Sequence, residues 1–254
     1  TSRTKAIVII NPNNPTGAVY PEALLLQLAE IARRHKLVVM ADEIYDGIPY
    51  ENTPFVPIAS LVNDTLCATL SGLSKVYRAA GYRVGWVSFS GATQRAAEYL
   101  AGMELLMSMR MCSNVPAQYT VHSALGGYQS IKDLTSPGGR LYESRRAVIE
   151  GVKRSRYLTL TAPAGALYAF IGVRDEELPG FTDQQFALEL LEEKHVLVTP
   201  GSAFNVPYRN HFRITMLPDA ATITTVFERI EAHLDSWSAR HAQPAPASVP
   251  RLAS

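Results

Sequence analysis

The sequence predicts an α/β protein in which a mostly parallel sheet is sandwiched by helices, followed by a C-terminal α+β small domain. Short β-branched apolar runs alternate with amphipathic helical patterns in the first part of the chain. The pattern changes after Ser136-Pro-Gly-Gly139, where a long polar helix and strand pairs follow. With 254 residues, 47% of them hydrophobic, the chain can bury one large core or two modest ones.

The first three elements form a βαβ unit. Residues 5–10 are a continuous β-branched run closed by Asn-Pro, which predicts a buried parallel strand. Pro21 marks a helix start, apolar residues recur at helical spacing through 24–32, and a second strand follows at 37–41. The strands of such a unit run parallel, so their carboxyl ends meet at one edge of the sheet, where ligands bind.

The remaining elements complete two domains and a tail. Further strands are predicted at 66–70 and 84–89, with helices at 94–106, 117–125, 140–152, 183–194 and 220–240. These elements divide the chain into a first domain at 1–140 and a small C-terminal domain at 141–240. Residues 241–254 are rich in Pro, Ala and Ser, a composition that predicts a disordered tail.

Composition argues against several classes of partner. Lys and Arg number 24 against 23 Asp and Glu, and they are scattered, so no nucleic acid is predicted as a partner. The longest apolar runs are far shorter than the roughly 20 residues that cross a bilayer, so no membrane association is predicted. Cys67 and Cys112 lie in separate apolar stretches without metal-ligand spacing, which predicts no metal site and a reducing, cytoplasmic setting.

Four short motifs stand out together along the chain: Asn11-Pro-Asn-Asn-Pro-Thr-Gly17, Ala41-Asp-Glu-Ile-Tyr45, Ser71-Gly-Leu-Ser-Lys75 with Gly81-Tyr-Arg-Val-Gly85, and Phe212-Arg-Ile214. Their order and content resemble the class I and II aminotransferases of pyridoxal-phosphate (PLP) fold type I. The resemblance covers about 5–234 and looks most like the alanine aminotransferase branch, through Lys75-Val-Tyr-Arg-Ala-Ala-Gly-Tyr-Arg83. It implies that 1–140 is an incomplete PLP-binding large domain.

The resemblance also implies that the N-terminal part of the family's fold is absent. The chain starts at Thr1 and enters a strand-like run within about five residues. Relatives place before this point a helix N-terminus that cradles the phosphate, an aromatic ring that stacks on the cofactor, and a segment that closes the substrate site. We therefore expect the 254-residue chain alone to bind PLP weakly, to lack transaminase activity, and either to self-associate or to need the missing part of the fold.

Three residues are assigned to catalysis by the resemblance. Lys75 matches the lysine that holds PLP covalently and then moves the substrate α-proton. Asp42 matches the carboxylate that keeps the cofactor's ring nitrogen protonated, and Tyr45 matches the phenol that hydrogen-bonds its phenolic oxygen. Taken singly, a lysine is usually a surface residue, an Asp after a strand is usually a cap, and a buried Tyr is usually a core aromatic.

The resemblance assigns four residues to binding. Asn14 matches the amide that contacts both the phenolic oxygen and the substrate carboxylate, while Arg83 and Ser74 match phosphate ligands. Arg213 matches the guanidinium that holds the substrate α-carboxylate through two parallel hydrogen bonds. Without the other motifs, a strand arginine would as often face solvent or an ion pair.

Two loops and one departure from the family complete the assignment. The segments Pro163-Ala-Gly-Ala-Leu-Tyr168 and Pro200-Gly-Ser-Ala-Phe204 resemble loops that face the site, and we expect them to set its shape. Gly72 stands where relatives often have Ser, which removes one phosphate hydrogen bond. Arg78 is a candidate to replace that hydrogen bond or to form an ion pair near the site.

The expected reaction is ping-pong transfer of an amino group between an amino acid and a 2-oxo acid, with alanine and 2-oxoglutarate implied by the branch. The family resemblance also implies a homodimer. Three alternatives stay open: another PLP reaction such as a β-lyase, a PLP-binding module without turnover, and an aldolase that uses Lys75 without PLP. The aldolase leaves Asp42, Tyr45 and Arg83 unexplained.

Overall fold

A computed structural model describes residues 1–241 and places them in two compact units. The first unit contains Thr1–Glu143 and Ala162–Tyr168, and the second contains Ser144–Thr161 and the described residues from Ala169 onward. The chain therefore returns to the first unit for one short segment after it has entered the second. Of the predicted tail at 241–254, only the backbone of His241 is described, as the last residue of a helix.

The first unit contains a four-stranded sheet whose order follows the chain: β1 (Ala6–Ile10), β2 (Val38–Asp42), β3 (Leu66–Gly72) and β4 (Gly85–Gly91). The pairs β1–β2 and β2–β3 are parallel, and β3–β4 is antiparallel. Because Ile10 lies opposite Asp42, and Asp42 opposite Leu70, the three parallel strands end at the same edge.

Five helices begin in the first unit: α1 (Glu22–His35), α2 (Ala97–Met109), α3 (Val115–Gly126), α4 (Ile131–Thr135) and α5 (Arg140–Arg154), which continues into the second. Helix α1 starts directly after Pro21 and ends at Lys36, whose φ of 53° is left-handed. Its fully buried Leu25 and Ala32 pack in one core with Ile9 and Val39 from β1 and β2. Burying a leucine side chain such as that of Leu25 stabilises the fold by roughly 1.5–3 kcal/mol, so α1 is held on the sheet by its apolar stripe.

The second unit contains a sheet of order β5-β6-β8-β7, formed by β5 (Leu158–Leu160), β6 (Tyr168–Val173), β7 (Thr199–Pro200) and β8 (His211–Thr215). Helices α6 (Asp183–Lys194) and α7 (Ala220–His241) follow β6 and β8 along the chain. Phe186, Phe212 and Trp237 are fully buried in this unit. No helix among the described residues is long and apolar enough to cross a membrane.

The structure confirms the predicted fold class and the strands and helices on which it was based. The α6 bounds agree with the predicted 183–194, and the other named elements shift by a few residues at their ends. The antiparallel direction of β4 was not predicted, because the apolar pattern of a strand does not encode its direction.

Helices α2 and α3 and their flanking residues carry large apolar side chains that are exposed in the structure. The exposed set is Tyr99, Leu105, Leu106, Met107, Met109, Met111, Val115, Tyr119, Leu125 and Tyr128. Exposed apolar side chains in this number are uncommon on monomers, and large apolar patches often mark interaction surfaces.

Candidate functional site

The predicted site residues of the first unit follow the carboxyl ends of the parallel strands. Asn14 lies in the turn after β1, Asp42 is the last residue of β2, and Tyr45 lies on the loop after it. Ser74 and Lys75 follow β3. Because β1, β2 and β3 are parallel and in register, these residues emerge from one edge of the sheet.

Lys75 and Tyr45 are brought close to each other at this edge. The Nζ atom of Lys75 lies 5.9 Å from the centroid of the Tyr45 ring. Tyr45 is buried, whereas Lys75 is half-buried. The lysine therefore does not lie on a solvated face, and its amine is next to a phenol.

Asp42 is fixed by the ends of β1 and β2. Its side-chain Oδ1 accepts a hydrogen bond from the backbone N–H of Ile44 at 3.1 Å. Its backbone carbonyl accepts from the N–H of Asn11 at 3.0 Å. The carboxylate thus caps the loop that leads to Tyr45 and is still half-buried at the strand end, which is compatible with the role predicted for it.

Asn14 is carried by a turn that its neighbours hold in shape. The N–H of Gly17 donates to the carbonyl of Asn13 at 2.9 Å, and the hydroxyl of Thr16 donates to Asn13 Oδ1 at 2.7 Å. Gly17 has a φ of +71°, which is a conformation that favours glycine. The turn that carries Asn14 is therefore built by residues on both sides of it.

The predicted phosphate ligands lie in the connection between β3 and β4. Ser74 is half-buried, while Arg83 is exposed and its Nη1 donates to the carbonyl of Ala80 at 2.5 Å. Arg83 is held by its own loop in this structure, so holding a phosphate would require the guanidinium to exchange that carbonyl for phosphate oxygens.

The Gly72 departure has a local structural reason. Gly72 is buried, and a Cβ at this position would lie 2.8 Å from the carbonyl oxygen of Val84. The backbone of β3 and the chain leading into β4 therefore leave little room for a serine here. The guanidinium of Arg78 donates to Ser130 Oγ at 2.6 Å. This partner is neither the phosphate nor the ion-pair residue suggested for Arg78 from the sequence.

Arg213 lies in the second unit, in the middle of β8. Its Nη2 donates to Thr199 Oγ1 at 3.1 Å, and its Cζ lies 5.1 Å from the centroid of the Phe204 ring. Thr199 is the register partner of Arg213 on β7. The Thr199 hydroxyl and the Phe204 ring both lie close to the guanidinium and restrict its orientation, which favours binding of a planar carboxylate.

Two residues at the site were not assigned a role from sequence. The hydroxyl of Tyr168 lies 3.0 Å from the hydroxyl of Tyr45, and both side chains are buried. Glu43 is also buried, and loss of hydration raises the pKa of its carboxyl to about 7. Tyr168 is the last residue of the segment 163–168, which resembles a loop that faces the site in the family. This resemblance was the one sequence signal that could have indicated the contact between Tyr168 and Tyr45.

The second unit also contains a cluster of two glutamates, one histidine and one arginine. Within the described residues, ligand atoms of Glu189, Glu193 and His233 lie within 4.8 Å of one another. However, Arg240 Nη2 lies 2.6 Å from Glu189 Oε2, and His233 Nδ1 lies 3.2 Å from Glu193 Oε2. The carboxylates are therefore engaged in an ion-pair network between α6 and α7.

The groups at the sheet edge suit PLP in chemical type. The Lys75 amine matches the cofactor's aldehyde, the Tyr45 phenol matches its phenolic oxygen, and the Asp42 carboxylate matches its ring nitrogen. The 5.9 Å between the Lys75 amine and the Tyr45 ring suits two groups that act on neighbouring atoms of one small molecule. The residues present therefore fit this cofactor.

A family comparison agrees with the fold and with the chemistry of this edge. The family model described as Aminotransferase class I and II matches residues 1–230. The chain belongs to the class I and II aminotransferases, a family of PLP-dependent transaminases.

Within that family, the chain is similar to named alanine aminotransferases. It is 45% identical over 237 residues to the alanine aminotransferase of Mycobacterium tuberculosis, which covers 93% of this chain and 55% of the relative. It is 48% identical over 237 residues to the glutamate-pyruvate aminotransferase AlaA of Escherichia coli, covering 93% and 58%. The chain thus spans a little more than half the length of these relatives.

Solved structures show the same fold. A crystal structure of an aminotransferase from Escherichia coli superposes with a TM-score of 0.91 at 45% identity, covering 94% of this chain and 59% of that one. An alanine aminotransferase from Pyrococcus furiosus superposes with a TM-score of 0.87 at 34% identity, covering 93% and 59%. The fold is that of the PLP-dependent enzymes of fold type I.

Proposed function

We propose that this chain forms part of a PLP-dependent aminotransferase that exchanges an amino group between alanine and 2-oxoglutarate. The observation that carries the proposal is the position of the Lys75 amine beside the buried Tyr45 ring. Both residues follow the carboxyl ends of parallel strands, at the edge of the sheet where Asp42 is the last residue of β2. The name of the Escherichia coli relative supports the substrate pair. Amino transfer from glutamate to pyruvate gives 2-oxoglutarate and alanine, the same pair read in reverse.

PLP, when bound, supplies an electron-withdrawing ring that stabilises the negative charge left by removal of the substrate α-proton. Lys75 would hold the cofactor through its Nζ, and the same atom would accept and return that proton. The carboxylate of Asp42 holds a proton on the ring nitrogen by charge-assisted hydrogen bonding. Tyr45 donates its hydroxyl to the phenolic oxygen.

The remaining residues bind and orient. The Asn14 amide contacts the phenolic oxygen and the substrate carboxylate, and Ser74 and Arg83 donate to the phosphate. Arg213 binds the α-carboxylate, which amino acid and oxo acid substrates share, through two parallel hydrogen bonds. A lysine at that position would offer a point charge without this planar geometry.

A β-lyase on the same scaffold is the second candidate, because Lys75, Asp42 and Tyr45 serve the removal of an α-proton whatever follows it. Product analysis with alanine and with cystathionine separates the two reactions. Pyruvate from alanine in the presence of 2-oxoglutarate supports transamination, and pyruvate with ammonia from cystathionine supports the lyase. A PLP-binding module without turnover would give neither product.

We also propose a homodimer in a cytoplasmic setting. The exposed apolar side chains of α2 and α3 support an extensive protein–protein contact. Cys67 and Cys112 are both free, as in proteins of reducing compartments. Sedimentation at several protein concentrations tests the dimer, and a monomer at all of them would contradict it.

Trapping of the cofactor tests the assignment of Lys75. We expect borohydride to fix PLP on Lys75 at saturating cofactor, and Lys75→Ala to abolish both the trapped product and the near-violet absorbance. Lys132→Ala, which removes an exposed lysine on α4, is the matched control and should leave both unchanged. Trapped cofactor in the Lys75→Ala variant would refute the assignment.

The prediction that the 254-residue chain does not transaminate alone is tested separately. PLP affinity and alanine turnover are measured on that polypeptide, with its length verified by mass spectrometry. Weak binding and no turnover are expected. Robust turnover would contradict this prediction while supporting the proposed reaction. Activity measurements on variants therefore require an active form of the protein, either this chain or a longer polypeptide that contains it.

A further inference from the structure

A short segment from far along the chain is packed against the two loops that carry Asn14 and Tyr45. This segment, residues 163–168, belongs to the first unit although the chain on both sides of it belongs to the second. It joins the turn that contains Asn14 through two hydrogen bonds. The N–H groups of Ala164 and Gly165 both donate to the carbonyl of Gly17, each at 2.8 Å.

The same segment is bonded to the loop after Tyr45. The N–H of Tyr50 donates to the carbonyl of Ala164 at 2.9 Å, and the N–H of Ala166 donates to the carbonyl of Ile48 at 2.9 Å. The buried hydroxyl of Tyr50 also donates to the carbonyl of Ala166 at 3.1 Å. Backbone hydrogen bonds to both loops fix the position of the segment relative to each of them.

Packing around the glycines leaves the segment little freedom to shift. A Cβ on Gly17 would lie 2.3 Å from Cβ of Pro163, and a Cβ on Gly165 would lie 2.7 Å from Cγ2 of Val19. Such approaches are possible because neither residue has a side chain. The segment and the turn are therefore in direct backbone contact, and the position of Tyr168 follows from that contact.

Tyr168 is the last residue of the segment, and its hydroxyl lies within hydrogen-bond distance of the Tyr45 hydroxyl. The two oxygens are 3.0 Å apart, and the rings meet edge to face with centroids 5.7 Å apart. Tyr45 is 3% exposed and Tyr168 is 8% exposed. A hydrogen bond between two buried hydroxyls is little weakened by water, so each group restrains the direction in which the other donates.

We propose that Tyr168 is a positioning residue that fixes the Tyr45 hydroxyl and directs its proton toward the phenolic oxygen of PLP. This inference rests on the proposed function. A hydroxyl has one hydrogen to donate. If Tyr45 gives its hydrogen to the cofactor, Tyr168 must be the donor between the two tyrosines. Accepting that bond makes the Tyr45 hydroxyl a stronger donor, because hydrogen bonds in a chain polarise one another.

The contact is tested first without cofactor, in protein labelled with carbon-13 at Cζ of its tyrosines. Loss of one signal in Tyr45→Phe identifies Tyr45. We expect Tyr168→Phe to move that signal, because it removes the hydroxyl and keeps the ring. Tyr50→Phe removes a hydroxyl bonded to the same segment and should leave the Tyr45 signal in place. An unchanged Tyr45 signal in Tyr168→Phe would overturn the contact.

The role toward the cofactor is tested by a pH titration of the visible absorbance of bound PLP in an active form of the protein. Tyr168→Phe should still trap PLP on Lys75 while the titration midpoint rises by roughly 0.5–1 pH unit, the size expected for one hydrogen bond. Turnover should fall roughly 3- to 10-fold with little change in the Michaelis constant for alanine. Tyr50→Phe should change neither midpoint nor turnover.

The outcomes distinguish this inference from the proposed function. A trapped cofactor on Lys75 with an unmoved midpoint in Tyr168→Phe would overturn the positioning role and leave the aminotransferase proposal intact. No cofactor on Lys75 in the unmodified active protein would refute the proposed function, and the role of Tyr168 toward PLP with it. In that case the carbon-13 signal of Tyr45 in the Tyr168→Phe variant still shows whether the hydroxyls of Tyr45 and Tyr168 are hydrogen-bonded.

Discussion

Glu43 Oε1 accepts a hydrogen bond from the backbone N–H of Ile58 at 3.0 Å, in a place where the carboxyl side chain is almost fully buried. This one donor does not offset the lost hydration. Burial raises the pKa of the Glu43 carboxyl from 4.5 to about 7, with a smaller contribution from the negative charge of Asp46. The residue next to Asp42 is therefore protonated in the folded protein over a pH range where it is ionised in the unfolded chain.

Glu43 should make the stability of the chain depend on pH. Because the folded-state pKa of Glu43 is raised, the folded chain binds the carboxyl proton more tightly than the unfolded chain does. The stability that this proton binding contributes is fully present below pH 4.5 and is lost as the pH rises through about 7. We predict that the free energy of unfolding of Glu43→Gln, relative to that of the unmodified chain, increases by roughly 1–3 kcal/mol between pH 4.5 and pH 7. Urea unfolding at several pH values measures the difference. Glu22→Gln, at an exposed position in α1, is the matched control, and a flat difference for Glu43→Gln would contradict the prediction.

Gly17→Ala should destabilise the first unit. The new Cβ would lie 2.3 Å from Pro163 Cβ and 2.7 Å from the carbonyl oxygen of Tyr168, at a residue with φ of +71°. Overpacking and a left-handed alanine together should cost at least about 2 kcal/mol in urea unfolding. Gly102→Ala is the control, since its Cβ meets nothing within 4 Å inside α2. It should stabilise by about 0.5–1 kcal/mol, and equal effects of the two substitutions would argue against a close contact at Gly17.

Asp42→Ala should slow turnover by at least about 100-fold in an active form of the protein while PLP is still trapped on Lys75. The expected cause is loss of the carboxylate that holds the proton on the ring nitrogen. Asp64→Asn, at an exposed position in the loop before β3, should change turnover little. An Asp42→Ala variant with an unchanged rate would show that the carboxylate serves only to cap the N–H of Ile44.

Arg213→Lys should raise the Michaelis constants for alanine and for 2-oxoglutarate together. Both substrates present the same α-carboxylate, and lysine keeps the charge but loses the two parallel hydrogen bonds, so we expect a rise of roughly 10- to 100-fold. Steady-state kinetics with each substrate varied in turn measure both constants. Arg209→Lys, at an exposed position shortly before β8, is the control. If only one constant rises, Arg213 does not bind the shared carboxylate.

The sequence predicted the elements of the fold because their patterns are local. The β-branched run of β1, the apolar stripe of α1 and the change after Gly139 each require only neighbouring residues to be seen. The family motifs added the lysine, aspartate and tyrosine of the site. The antiparallel direction of β4 was not predicted, since no side-chain pattern in the strand records it.

The parts that sequence did not predict depend on contacts between distant residues. Gly72 was recognised as a departure from the family pattern, but the close approach of the Val84 carbonyl, which leaves little room for a side chain there, depends on the packing of β3 against the chain that leads into β4. The raised pKa of Glu43 depends on burial and on the N–H of Ile58. The bond between Tyr45 and Tyr168 joins residues separated by 123 positions, beyond the reach of any local pattern.

That separation has a consequence for the order of folding. The loops that carry Asn14 and Tyr45 gain their hydrogen bonds to residues 163–168 only after that segment has been synthesised and has joined the first unit. Closing so long a loop carries an entropic cost that local helices do not have. During biosynthesis the strands β1 to β4 can therefore pair before the site exists. Competence to hold the cofactor in its final geometry should arise late, in a step separate from formation of the sheet.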